Sequence, residues 1–153
     1  MSEPLTGGCQ CGAVRFRTDG EIGRASICHC RMCQKALAGP FGALVTVSVA
    51  NLVWTRGGPA HFQSSDQVKR GFCAACGTPL TFDYGPDKID LAVFAFDEPS
   101  RVEPRVQLAV EGRPAWMEHL ADMPVRPPAA GPSGTVVSRQ HPDHDIPTSI
   151  GAR

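Results

Sequence analysis

This 153-residue sequence has no surplus of charge, since fifteen Lys and Arg are matched by fifteen Asp and Glu. The basic residues are scattered and form no stripe, which argues against nucleic acid or an anionic membrane as the main partner. A long apolar run is also missing. The most apolar window, FGALVTVSVANLVW, is interrupted by Thr46, Ser48 and Asn51 and is too short to span a bilayer. The first residues, MSEPLTGG, have neither a basic start nor an apolar stretch, so no signal peptide is read there and the cytoplasm is the expected compartment. The length suits one domain around one core.

What the sequence has instead is cysteine, seven in all. An odd number of thiols in a chain expected to stay in a reducing compartment is a poor disulfide framework, so metal ligation is the better class. The thiols come in three groups. GGCQCG holds Cys9 and Cys11, CHCRMC holds Cys28, Cys30 and Cys33, and FCAACG holds Cys73 and Cys76. In an extended segment residues i and i+2 point to one side, so Cys9 and Cys11 can reach a single ion. A Cys-x-x-Cys knuckle followed by Gly77 supplies two more ligands, the glycine taking the positive φ of such a turn. Cys9, Cys11, Cys73 and Cys76 together would fill a tetrahedral zinc site. Cys28, Cys30 and Cys33 are one ligand short, the arrangement in which a fourth position goes to water or substrate. The expectation is two zinc ions, one saturated and structural, one open.

Other pairings remain on the table. Cys30 and Cys33 with Cys73 and Cys76 would make a zinc ribbon, at the cost of separating Cys28 from its neighbour. Iron also accepts four thiolates, CAACG could be a redox pair, and one of the trio could be a merely buried thiol beside a single metal. His29 sits between two cysteines and by alternation points away from their ion, suiting a supporting place better than ligation. Arg31 and Lys35 are the local cations. His61 and His119 are acid–base candidates by residue type alone. HPDHD, His141 to Asp145, offers metal-friendly side chains but reads as part of a solvated run.

The elements around these motifs are mostly strands. GAVRFRT alternates Val14 and Phe16 against Arg15 and Arg17, as a half-buried strand does. CQKALAG suits a short helix ending at Gly39 and Pro40. ALVTVSVANLVWT reads as a strand pair bent near Ala50 and Asn51, AHFQSS and QVKRGFC as two strands about a turn, and TPLTFDY as the return across the knuckle. DKIDLAVFAFD and RVQLAVEG add strands, AWMEHLA a helical turn or two. Trp54, Phe72, Phe94, Phe96 and Trp116 are assigned to the core. Residues 1–125 are expected to fold as a β-rich domain with one or two short helices. Residues 126–153, rich in Pro and Gly, read as a disordered tail.

GGCQCGAVRF, CHCRMCQKALAGPF and FCAACGTPL, in that order and at those separations, resemble the glutathione-dependent formaldehyde-activating enzyme family, also called the CENP-V/GFA family. The resemblance covers roughly residues 5–120. It implies a mostly β fold of curved antiparallel sheets, a complex β-sandwich or half-barrel, stapled by zinc. It also implies a structural zinc on Cys9, Cys11, Cys73 and Cys76 and a catalytic one on Cys28, Cys30 and Cys33. The implied activity joins formaldehyde to the thiol of glutathione, a carbon–sulfur lyase reaction in reverse, with a small thiol as the partner molecule. Gln34 stands where family members often carry Arg. The alternative function is a zinc-stapled thiol carrier or interaction module without turnover.

Overall fold

Side-chain alternation explains most of the architecture. In the computed structural model of the protein, which describes residues 3–127 and 137–145, ten short strands form two sheets, and neither sheet closes on itself. Strands β1 (Leu5–Gly8), β2 (Arg15–Thr18) and β5 (Leu52–Arg56) make the smaller sheet, with β2 central and both pairings antiparallel. The larger sheet contains β3 (Ser26–Cys28), β4 (Gly42–Ser48), β6 (Ala60–Gln63), β7 (Lys69–Phe72), β8 (Pro79–Asp83), β9 (Lys88–Ala92) and β10 (Val106–Leu108). Its order is β10-β3-β4-β9-β8-β7-β6. All its pairings are antiparallel except β10 on β3, where Leu108 lies opposite Cys28.

The two sheets share a core. Phe16 on β2 is fully buried and packs edge-on against Phe96 and Trp54, with centroid separations of 5.1 and 6.0 Å. Val45 and Val47 on β4, Leu80 on β8 and Leu91 on β9 complete the interior. Each such side chain contributes roughly 1.5–3 kcal/mol by leaving water, so the strands are held by their shared face more than by individual propensity.

The single α-helix among the described residues, α1 (Arg31–Leu37), lies where CQKALAG places it. Its end differs by one residue. Ala38, not Gly39, takes the left-handed conformation at φ 51°, and the amide of Gly39 returns to the carbonyl of Gln34. The segment Ala115–Asp122 forms 3₁₀ turns. Mostly β with a short helix, the fold is the one read from the sequence.

Several local expectations fail, each for a nonlocal reason. β4 and β5 are joined through a 3₁₀ turn at Val49–Asn51, yet they are not a pair: each enters a different sheet. Arg15 alternates outward on paper but is buried, because Asp97 meets it with a paired hydrogen bond, one arm measuring 2.8 Å. Phe94 and Trp116 are exposed and not part of the core. The HPDHD run is not simply solvated. The amide of His141 donates to the Gln10 carbonyl at 2.7 Å, and Asp145 accepts from the Arg15 guanidinium. Residues 128–136 and 146–153 of the tail lie outside the described residues. Among the described residues no helix is long and apolar enough to cross a membrane.

Candidate metal centres

The seven thiols gather in two places. Cys9, Cys11, Cys73 and Cys76 have their sulfurs within 4.8 Å of one another, and so do Cys28, Cys30 and Cys33. None is in a disulfide.

The quartet is built from two similar turns facing each other. After β1 the chain turns at Cys9, where the Gly12 amide returns to the Cys9 carbonyl, with Gly12 at φ 76°. Between β7 and β8 it turns at Cys73, where the Gly77 amide returns to the Cys73 carbonyl, with Gly77 at φ 78°. Both positive φ values favour glycine, which is why each knuckle carries one. Backbone and hydroxyl donors point at the sulfurs. The Val14 amide lies 3.2 Å from Cys9 Sγ, and Thr78 Oγ1 lies 3.1 Å from Cys76 Sγ.

Sulfur separations test whether an ion fits. Zinc–thiolate bonds of about 2.3 Å in a tetrahedron place neighbouring sulfurs about 3.8 Å apart. Cys9 to Cys11 measures 3.6 Å and Cys11 to Cys73 measures 3.9 Å. A disulfide would require about 2.05 Å. The donor set and its spacing fit a four-coordinate thiolate-bound metal.

Proton affinities in the quartet diverge. Burial pushes the Cys73 thiol up. Burial also opposes ionisation of Cys76, but hydrogen bonds from Thr78 and Cys11 outweigh it and bring that thiol down to about 6. Crowded thiols share protons unequally in this way, and a cation among them favours the thiolate form of all.

The trio is assembled from a strand end, a helix cap and a helix. Cys28 ends β3, Cys30 is the N-cap of α1, and Cys33 lies in its first turn. The trio is a cluster of three thiols and does not involve residue 3. Residue 3 is Glu3, whose backbone carbonyl accepts from Arg101 Nη2 at 3.3 Å and which is not among the clustered ligands. The Cys30 sulfur accepts from the Cys33 amide at 3.4 Å, an unusual cap in which a thiol takes the place of a hydroxyl or carboxylate. Burial pushes Cys28 up to about 12. Burial works against Cys30 as well, yet the Cys33 amide and the neighbouring thiols hold Cys30 below the usual range. Cys33 is buried, whereas Cys28 and Cys30 are half-buried.

Residues around the trio are less legible from the sequence. His29 is only 1% exposed, with Nε2 at 2.9 Å from Gln107 Oε1 on β10 and its ring edge-on to Phe41. Its Nδ1 is buried without a hydrogen-bond partner. Gln34, also buried, donates to the carbonyls of Pro40 and Gly112 at 3.1 and 3.0 Å, tying α1 to the chain beyond β10. Arg31 and Lys35 are exposed, and Arg31 bonds Gln34 rather than a thiol. His61 is exposed on β6, and His119 is exposed beside Asp122.

The cation that does reach the trio is Arg70, missed by the reading of nearby sequence. It is 4% exposed on β7, and its Nη2 lies 3.4 Å from Cys33 Sγ. The signal was present in QVKRGFC, where alternation puts Arg70 inward between Lys69 and Gly71, but an inward arginine without a visible partner is easily dismissed.

Comparison with known proteins agrees with the sequence motifs. The profile of the family described as "Glutathione-dependent formaldehyde-activating enzyme" matches residues 4–112. A protein of Halomonas elongata named "Putative glutathione-dependent formaldehyde-activating enzyme" is 31% identical over 127 residues, 74% of this chain and 80% of the relative. A crystal structure of a Rhodobacter sphaeroides protein shares the fold at a TM-score of 0.54 and 22% identity, covering 67% of this chain and 98% of that one. With its cysteine motifs, fold and thiol clusters in agreement with those findings, the chain belongs to the glutathione-dependent formaldehyde-activating enzyme family.

Proposed function

We propose that this protein is a zinc-dependent enzyme of the carbon–sulfur lyase type, making or breaking the adduct between a small glutathione-like thiol and an aldehyde. The observation that carries this reading is the unequal count of sulfurs, four in one cluster and three in the other. In it, Cys9, Cys11, Cys73 and Cys76 hold a structural zinc, and Cys28, Cys30 and Cys33 hold a second ion with a position left for substrate. A zinc ion held by Cys28, Cys30 and Cys33 would supply positive charge that favours the thiolate form of an incoming thiol, the nucleophilic form.

The chain's own groups do the rest. Arg70 places a fixed cation on Cys33 and offsets part of the negative charge that three thiolates and a fourth would accumulate. The half-buried faces of Cys28 and Cys30 give a substrate sulfur its approach, while buried Cys33 anchors the trio to α1. His29 holds its hydrogen bond to Gln107 and fixes the loop between Cys28 and Cys30 from behind. The thiolate sulfur then forms a bond to the aldehyde carbon, and the carbonyl oxygen takes up a proton.

The test is cobalt substitution of the full chain. Glutathione should shift the cobalt absorption bands, metal content should be two ions per chain, and Cys30→Ser should abolish the shift while leaving one ion bound. Four protein ligands at both ions, with no spectral response to any thiol, would support an interaction module without turnover and overturn the enzymatic reading.

A further inference from the structure

Between α1 and strands β7 and β8 lies a cavity of about 200 Å³ with mostly apolar walls, linked to the trio through Arg70. Leu37, Leu44, Phe62, Phe72 and Leu80 line it, with the Phe62 and Phe72 rings 6.1 Å apart. One charged side chain enters this lining, Arg70. Its partners are the Ser64 hydroxyl at 2.9 Å, the Cys33 sulfur and the face of the Phe82 ring at 4.7 Å. No carboxylate pairs with it among the described residues, and its Nη1 has no hydrogen-bond partner among them. Burying a guanidinium is costly unless its donors are used, so an unused donor at the wall of a cavity invites an acceptor.

Formaldehyde does not explain this cavity. It has a carbonyl oxygen but no carbon body to cover leucine and phenylalanine walls. A small ligand site combines apolar walls with few polar groups that fix orientation, and here the orienting group also touches a sulfur of the trio.

We propose that the cavity takes the hydrocarbon body of an aldehyde several carbons long, with Arg70 donating a hydrogen bond to its carbonyl oxygen. This rests on the enzymatic reading of the trio and names its electrophile. The thiolate sulfur contributes the electron pair of the new carbon–sulfur bond, and the carbonyl π pair moves to oxygen beside the guanidinium. Solvent water then protonates that oxygen, giving a neutral hemithioacetal. No oxidant or reductant is consumed. Arg70 acts where negative charge develops, as donors of an oxyanion hole do. It is thus a catalytic residue that also steadies Cys33.

The experiment uses the metal-loaded full chain and two series of probes. Formation of the glutathione hemithioacetal is followed by exchange NMR with formaldehyde, ethanal, butanal and hexanal. Unreactive butanamide, set against formamide, reports binding by saturation-transfer NMR. Each buried methylene should raise kcat/KM and amide affinity about fourfold until the cavity is filled. Ala36→Phe, which projects a ring into the cavity from α1, should flatten that dependence. Arg70→Gln should weaken butanamide binding, and wild-type binding alone still decides the matter if this variant does not fold.

Acceleration with formaldehyde that does not increase with chain length, together with no binding of butanamide, overturns the inference and leaves the enzymatic reading intact. Chain-length-dependent amide binding with no acceleration for any aldehyde upholds the cavity as a site for carbonyl compounds and removes the enzymatic reading instead.

Discussion

The two cysteine clusters differ in what surrounds them more than in what they contain. The quartet is made from two facing turns, each tightened by a glycine and by amides that return to the cysteine carbonyls. Close by, Arg15, Asp97 and Asp145 form a network of ion pairs joining the first hairpin, the segment after β9 and the returning tail. The trio is held by a helix cap, a buried histidine and a glutamine clamp, and Arg70 links it to an apolar cavity. One cluster is tied into the frame through paired turns and nearby ion pairs, the other through a helix cap and side-chain clamps. Stability and chemistry should therefore separate when the two are disturbed.

The sharpest way to test that separation is to remove one sulfur from each. Cys73→Ser deletes a fully buried sulfur of the quartet and, if a structural zinc sits there as proposed, should cost most of the domain's stability. Structural zinc in small fingers contributes apparent free energies of ~10–16 kcal/mol, and a domain has only about 5–15 kcal/mol in total. Thermal melting and metal content together read the result. A Cys73→Ser protein with an unchanged melting temperature would break the comparison.

Cys30→Ser should do the opposite. Hemithioacetal formation should fall by roughly 10²–10³-fold, because metal-derived charge stabilisation is worth several kcal/mol in a transition state. The melting temperature should move far less than with Cys73→Ser.

Asp97 sharpens the picture on the quartet's side. It is 6% exposed on its side chain, and burial raises its proton affinity, but hydrogen bonds from Arg15 and Thr6 overcome that and hold the carboxyl below its usual range. A carboxyl held low in the folded state stabilises the protein above the unfolded value of about 3.9. That stabilisation is lost as pH falls through the lower folded value. Asp97→Asn should cost about 3–5 kcal/mol near neutrality by leaving Arg15 with a weaker partner, and should flatten the acid limb of the stability curve. Urea melts between pH 7 and 2 measure both. Asp145, with its side chain 43% exposed, pairs with the same guanidinium, so Asp145→Ala should cost no more than about 1 kcal/mol. That smallest effect, compared with Asp97→Asn by urea melting, shows how much of the network's strength lies in burial.

The amino-acid sequence disclosed some of this and withheld the rest for physical reasons. Which thiols meet was legible because the seven cysteines come in three tight groups whose spacing restricts reach. The β-rich fold was legible from period-two alternation. Arg15 and Arg70 were not, since alternation gives the side of a strand but not the partner waiting there. In both cases that partner comes from distant sequence, Asp97 for one and Cys33 for the other. Phe94 and Trp116 misled for the mirror-image reason: their size suggests burial, but nothing among the described residues covers them. The departure from the family pattern at Gln34 acquires a meaning only when Pro40 and Gly112 are seen converging on it.

The parallel pairing of β10 with β3 has a consequence for synthesis. Val106 to Leu108 lie against Ser26 to Cys28, about eighty residues earlier in the chain. At about 5–20 residues per second, a ribosome needs roughly 4–16 seconds to make that stretch. During that interval Cys28 and its neighbours are outside the ribosome without the strand and the glutamine-anchored loop that flank them when folded. A nascent chain would thus offer bare sulfurs to any passing copper ion or peroxide before its own architecture could shield them.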